Sequence, residues 1–350
     1  MSKIRVGLIG VGNAASSFVQ GLYYYKNGGT GLWHEKIGPY KVSDIEIVAA
    51  FDVDKRKVGM DLSKAIFSEP NTIKKYADVP NLGVEVLMGH VVEPLSSTLK
   101  KVILYSDEKP VDIADVMKSN RVDIVLNLLP AGLDRTSKFY AEMSLKANVA
   151  FVNATPSNIV NDEEIVSRCR NLGLPVVGDD LLSQLGGTIL HKQILNFLEE
   201  RGILIESSYQ LDAGGSVETL NTMNEDVKQL KRTIKTKTVS SAITQEAEIA
   251  TGTTDYVPFL SDTRISYLWV KGYGYLGSPI ILDIKLRTED GPNAGNVLLD
   301  VTRALKIARD RGLTGPVKPI CDYGFKNPPQ PHPKNVHMAY EEFIKFINQS

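Results

Sequence analysis

The sequence predicts an α/β protein: a Rossmann-like, doubly wound parallel sheet with an inserted α+β unit. Three observations predict it. Apolar runs alternate with amphipathic segments as far as residue 180, the pattern of parallel strands covered by helices on both faces. A glycine turn, GVGNAAS at 10–16, follows the first apolar run and opens a helical segment. Beyond residue 180 the apolar runs lengthen and acquire polar alternation, as strands do in a sheet with one open side.

The elements follow in order. IRVGLIGVG (4–12) reads as the first strand, and a helix runs from about Ala14 to Lys26. IEIVAAFDVD (45–54) is the second strand, followed by a helical KRKVGMDLSKAIF. RVDIVLNLLP (121–130), VAFVNA (149–154) and LPVVGDD (174–180) continue the sheet, with helices over 134–148 and 162–173 between them. Such alternation builds βαβ units. SQLGGTILHKQILNFLEERG reads as one long helix, and ISYLWVKGYGY and PIILDIKLRTED as long strands. Helical pattern returns over 291–312, and a last helix runs from about Asn335 to Ile347. The expected division is one domain over 1–190 and 300–350, with a second over 191–299 inserted into it.

Composition narrows the function. Forty basic and 41 acidic residues among 350 leave a net charge of -1, which argues against a nucleic-acid binder. There is no stretch of about 18 consecutive apolar residues to span a membrane. The opening MSKIRVGLIGVG is short and broken by glycines, so it reads as a strand and not a signal peptide. Cys169 and Cys321 give neither a disulfide framework nor metal-ligand spacing. A cytoplasmic globular protein acting on a small molecule is expected. His34 and His191 lack metal-ligand spacing and read as packing or surface residues.

The glycine turn carries the first chemistry. Gly10 permits the tight turn, Gly12 lets a pyrophosphate approach the backbone, and Ala15 stands in for the third glycine. Asn13 and Ala14 open a helix whose N-terminal N–H groups favour phosphate. Asp52, at the carboxyl end of the second strand, is the candidate for the adenosine ribose, displaced from the usual spacing by an insertion containing YYYKNGGTGLWHEKIGPY. A carboxylate there repels a 2′-phosphate, so NAD is favoured over NADP.

Two further stretches point to an anion. VKQLKRTIKTKTV (227–239) holds Lys228, Lys231, Arg232, Lys235 and Lys237. It is either a solvated helix face or the cationic wall of a site. Lys231 and Lys235, four apart, share a face if the segment is helical. VVGDDLLSQLGGT ends a strand in two carboxylates and opens a helix through glycines, an arrangement suited to an anion; the alternative is ordinary capping by Ser183.

The blocks GVGNAASSFVQGLYYYK, AAFDVDKRKVGMDLSKAIF, FVNATPS, VVGDDLLSQLGGT and GPVKPICDYGFKNPP resemble the inositol-3-phosphate synthase family, most closely its shorter prokaryotic branch, over about residues 4–329. The resemblance implies a homotetramer with a Rossmann domain and a catalytic, tetramer-forming domain. It implies conversion of D-glucose 6-phosphate to 1L-myo-inositol 1-phosphate, by oxidation at C5, enolisation, aldol closure onto C1 and re-reduction, with NAD recycled. It assigns Lys231 and Lys235 to proton transfer and charge stabilisation at the C5 oxygen, without dividing the roles. Lys326, in GFKNPP, is implied at the reacting oxygen, and Asp180 near the nicotinamide. Asp179 and Asp290 are implied beside the cofactor, and Ser183, Gly186, Gly187 and Thr188 at the substrate phosphate.

The pattern departs from the family at four places. Arg264, in SDTR, stands where a lysine is usual, and Leu182 stands where another lysine is usual. Ser216 replaces an asparagine, and Glu218 sits near an expected aspartate. Arginine keeps the charge but cannot shuttle a proton. These changes suit either branch variation or a relative acting on another sugar phosphate; a non-catalytic NAD-binding protein is the third reading. Some prokaryotic members use a divalent cation, which Glu218 or Asp290 could help to hold, although the sequence itself shows no metal site.

Overall fold

The computed structural model describes residues 3–333 and 335–349, without the side chains of residues 253 and 254. Strand β1 (Ile4–Ile9) leads into helix α1 (Asn13–Lys26). A small hairpin, β2 (Lys36–Ile37) with β3 (Tyr40–Lys41), occupies the insertion before β4 (Ile45–Asp52). Helix α2 (Leu62–Ala65) precedes β5 (Val86–Met88), and α3 (Ile113–Ser119) precedes β6 (Ile124–Asn127). Then come α4 (Asp134–Ala147), β7 (Ala150–Asn153), α5 (Glu163–Asn171) and β8 (Pro175–Val177).

The chain next crosses to a second sheet. It forms α6 (Gly187–Glu200), β9 (Leu204–Gly214), α7 (Val217–Asn221), α8 (Glu225–Ser240) and β10 (Glu248–Tyr256). Strands β11 (Thr263–Tyr273) and β12 (Pro279–Glu289) follow. Helix α9 (Asp290–Asp310) returns the chain to β13 (Gly315–Pro316), α10 (Lys318–Gly324) and α11 (Val336–Asn348).

The first sheet has the order β13-β8-β7-β6-β1-β4-β5, with every neighbouring pair parallel. Its strands are buried on both faces, which is why they read as unbroken apolar runs. Leu8 packs into a core with Phe18 of α1 and Leu298 of α9, while the next residue, Ile9, packs into the opposite core with Met117 and Tyr140. Strand order reverses beside β1, so a crevice opens at the carboxyl ends of β1 and β6, the usual place for a ligand in such a sheet.

The second sheet has the order β10-β9-β11-β12; β9 and β10 are parallel and the other pairs antiparallel. Helices α6 and α8 cover one side, packing Leu195, Leu198 and Val239 into one cluster with Val270 of β11. The other side bears Leu211, Ile281 and a stacked Tyr209–Trp269 pair with ring centroids 5.4 Å apart. This is the open side the polar alternation predicted.

Three local expectations differ from the structure. KRKVGMDLSKAIF was expected to be helical throughout, yet only α2 forms. Gly59 turns with φ of 81°, and Asp61 caps α2 by accepting from the Ser63 amide at 2.9 Å. Strand β5 and helix α3 were not foreseen. The long helix expected from residue 183 begins only at Gly187, because Gly186 is extended, with φ of -124°.

Candidate active site

A cavity of about 320 Å³ lies between the carboxyl ends of the first sheet and the helix-covered side of the second. The glycine turn forms one end. Gly10 has φ of 85° and its amide donates to the Phe51 carbonyl at 2.8 Å. A Cβ at Gly10 would stand 3.1 Å from the Leu128 carbonyl oxygen, whereas one at Gly12 would meet nothing within 4 Å. Gly12 is the N-cap of α1 without any side-chain cap, so its open side and the first N–H groups of the helix are left for a ligand. That cradle fits a dinucleotide pyrophosphate.

Asp52 locks the turn. One of its carboxylate oxygens accepts from the Val11 amide at 2.7 Å, the other from the Val53 and Asp54 amides at 2.7 and 2.9 Å. Asn13 donates to Thr72 Oγ1 at 2.9 Å and to Asp262 at 2.8 Å, tying the turn to the start of β11. Ala14 lines the cavity. Ala15 does not: it is fully buried in the core, the packing role of the third small residue.

The loop before α6 forms the middle. Ser183, Gly186, Gly187 and Thr188 all line the cavity. Ser183 does not cap the helix; Gly186 is the N-cap and no side chain satisfies it. A Cβ on Gly187 would lie 2.6 Å from both Gln210 Nε2 and Ser266 Oγ. Glycine is therefore required for α6 to close on β9 and β11 with its amides facing the cavity.

Four cations complete the walls, each against a carboxylate. Lys231 pairs with Glu218, and Lys235 lies 2.6 Å from Asp212. Arg264 Nε donates to Asp290 at 2.7 Å, with Nη2 2.5 Å from the same oxygen. Lys326 donates to Asp180 and to the Leu181 carbonyl, both at 2.7 Å. Helix α8 presents Lys231 and Lys235 on its inner face. Asn224 caps it by accepting from the Asp226 and Val227 amides. Arg232 and Lys237 are exposed and Lys228 is half-buried. Like charges at this spacing oppose a helix; here each lysine has its own carboxylate.

Asp212 is bonded to several side chains at once. Besides Lys235 it accepts from Ser266 Oγ at 2.6 Å and from Gln210 Nε2 at 2.9 and 3.0 Å. Burial would raise its pKa, but Lys235 and Arg264 outweigh that and hold it at about 2. Burial draws Lys235 below the ordinary lysine value, against the opposing pull of Asp212. Asp262 accepts from Asn13 and from the Gly291 amide, and burial pushes its pKa up to about 7.

Asp179 stands apart from its expected place. It is fully buried, does not line the cavity, and accepts from Asn153 Nδ2 at 2.7 Å and from the Ile159 and Val160 amides. It anchors the loop after β7, and burial raises its pKa to about 7. Only the next residue, Asp180, with φ of 59°, turns its side chain into the cavity. His191 is buried against Ser208, and burial lowers its pKa to about 4; His34 bonds Asp300 within an aromatic cluster.

Sequence reasoning missed Asp212, Gln210, Asp262 and Lys57, all cavity residues. A signal existed in β9, where Ser208, Gln210 and Asp212 alternate with Tyr209 and Leu211. The polar set is the buried one.

A family model, myo-inositol-1-phosphate synthase, matches residues 186–291. Along the whole chain the protein is 39% identical to the inositol-3-phosphate synthase of Mycolicibacterium smegmatis, over 98% of each chain. The chain belongs to the myo-inositol-1-phosphate synthase family. It is also 38% identical to the inositol-3-phosphate synthase of Corynebacterium glutamicum, over 99% of this chain and 98% of that one. The crystal structure of Ari2, 30% identical, superposes with a TM-score of 0.80 over 99% of this chain and all of that one. Within this myo-inositol-1-phosphate synthase family member, Ser216 is the N-cap of α7, accepting from the Thr219 amide at 3.3 Å. Leu182 is buried on the cavity wall. For the divalent cation that the resemblance allows, no three His, Cys, Asp or Glu side chains are grouped among the described residues, and Glu218 and Asp290 are each paired with a cationic side chain.

Proposed function

We propose that the protein converts D-glucose 6-phosphate to 1L-myo-inositol 1-phosphate with NAD retained and recycled. The observation that carries this reading is the convergence of Lys231, Lys235, Arg264 and Lys326 on one cavity that also holds an uncapped helix N-terminus and the glycine turn. NAD, when bound, supplies the acceptor and later the donor of a hydride. The turn at Gly10, Gly12 and Asn13 holds its pyrophosphate, and Asp52 favours an unphosphorylated ribose.

The remaining chemistry is electrostatic. Amides of α6, with Ser183 and Thr188, hold the substrate phosphate. Each anionic oxygen formed along the path needs a fixed positive group in a site shielded from water. Lys231 and Lys235 move the proton at the C5 oxygen and hold the charge there; crowding and burial bring a lysine toward the pKa a base needs. Lys326, steadied by Asp180, holds the reacting oxygen. Arg264 supplies a permanent charge and no proton. We assign residues 191–299 as the catalytic and tetramer-forming unit, with the open side of the second sheet as the subunit contact. A cytoplasmic setting suits two free, buried cysteines.

The test is an assay of purified protein with NAD and glucose 6-phosphate, with and without a divalent cation, scoring inositol phosphate. Product without net NADH is expected. A second reading, turnover of a different sugar phosphate, is favoured by Arg264 and Leu182 at positions where the family carries lysine. Bound NAD, no product from glucose 6-phosphate and turnover of a different sugar phosphate would select it.

A further inference from the structure

Lys57 differs from every other cation of the cavity. It is 3% exposed and lines the cavity beneath the glycine turn. Its ammonium donates to the Val11 carbonyl at 2.7 Å and to Asn71 Oδ1 at 2.9 Å. An ammonium carries three N–H bonds, so one remains beyond these two neutral acceptors. Lys231, Lys235, Arg264 and Lys326 each touch a carboxylate. Among the described residues, no carboxylate touches Lys57. The two acids whose charge reaches it are bonded elsewhere: Asp54 to Arg56 at 2.6 Å, and Asp52 to three backbone amides.

A buried ammonium without a contacting counter-charge is costly. The chain nevertheless holds it against the carbonyl of the turn that approaches the cofactor phosphates. Val11 is thereby gripped from both sides, its amide by Asp52 and its carbonyl by Lys57. We infer that Lys57 is the resident counter-ion of the cofactor's pyrophosphate, held beneath the glycine turn so that the incoming dianion completes its charge pairing. This rests on the NAD reading above. The glycine turn supplies shape and amides; Lys57 supplies the unit charge that the turn lacks.

The test compares affinities of the full chain for NAD, ADP-ribose and adenosine, by calorimetry or ligand-observed NMR. Lys57→Gln keeps a donor for Val11 and removes the charge; Lys57→Arg keeps the charge. Lys57→Gln is expected to weaken NAD and ADP-ribose roughly ten- to a hundredfold, the scale of one charge-assisted hydrogen bond. It should also flatten their salt dependence and leave adenosine unchanged. Lys57→Arg should retain most of the affinity. Unchanged NAD affinity in Lys57→Gln overturns the inference. Equal losses for NAD and adenosine also overturn it, since the lysine would then only shape the turn. If the unaltered protein binds neither NAD nor ADP-ribose, the cofactor reading fails first and takes this one with it.

Discussion

The Lys235 ammonium lies 2.6 Å from the Asp212 carboxylate, and both groups are buried in the cavity wall. The pair is embedded in further bonds from Ser266 and Gln210 to the same carboxylate. Lys235→Ala should therefore abolish turnover, a loss of at least about a hundredfold, while NAD affinity stays intact. Product formation and calorimetry on the same preparation check both halves. Near-normal turnover would remove Lys235 from the mechanism and leave its pair with Asp212 a structural one.

Removing the other partner tests the electrostatics. Asp212→Asn leaves the ammonium buried without its counter-charge, a cost of roughly 3 kcal/mol in denaturant unfolding. Asp212 raises the Lys235 pKa in the native protein, so its loss lowers that pKa further. Whichever limb of the pH–rate profile Lys235 sets moves to lower pH. An unmoved profile would show that Lys235 does not titrate in turnover.

Arg264 holds Asp290 through two nitrogens and reaches Thr219 at 3.5 Å. Arg264→Lys keeps the charge but cannot span those contacts, and turnover should fall about tenfold through one lost charge-assisted bond. Arg264→Met should be far worse, because Asp290 is then left without its partner. Equal activity of the methionine variant and the parent would remove Arg264 from the mechanism.

Asp262 gives a pH signature in stability. Its native pKa of about 7 exceeds the ordinary carboxylate value, so the folded state favours the protonated form. The stability this lends is full at acid pH and is lost as pH rises from about 4 through 7. Each unit of displacement corresponds to about 1.4 kcal/mol. Asp262→Asn removes the dependence, so melting curves of the variant should gain on the parent between pH 5 and pH 8. A constant difference across that range would refute the assignment.

The sheet was legible because its strands are buried on both faces; the run IRVGLI could hardly be anything else. The glycine turn was legible from its spacing together with its place between a strand and a helix; spacing put Lys231 and Lys235 on one helix face, but only the family resemblance pointed that face at a site. Asp212 was not, because alternation along YQLDAG shows two faces but not which one the helices cover. Asp179 and Asp180 are adjacent and chemically identical, and only the left-handed backbone at Asp180 sends that side chain into the cavity while Asp179 turns inward. Helix in KRKVGMDLSKAIF failed because a capping aspartate and a turning glycine outweigh the apolar spacing. Lys57 lay inside that same stretch, hidden as one charge among several.

Helix α9 begins at Asp290, beside Arg264, and runs unbroken to Asp310, with Gly295 pressed against Ser17 of α1 and nearly every residue from there to Ala308 buried. At 1.5 Å per residue it is a strut roughly 30 Å long, with one end in the chemistry and the other under the first sheet. A buried brace of this length resists opening of the two sheets against each other, which leaves the loops at the cavity mouth as the easier way in and out. In the reaction proposed above the cofactor is restored in every cycle, so only a small sugar phosphate has to come and go.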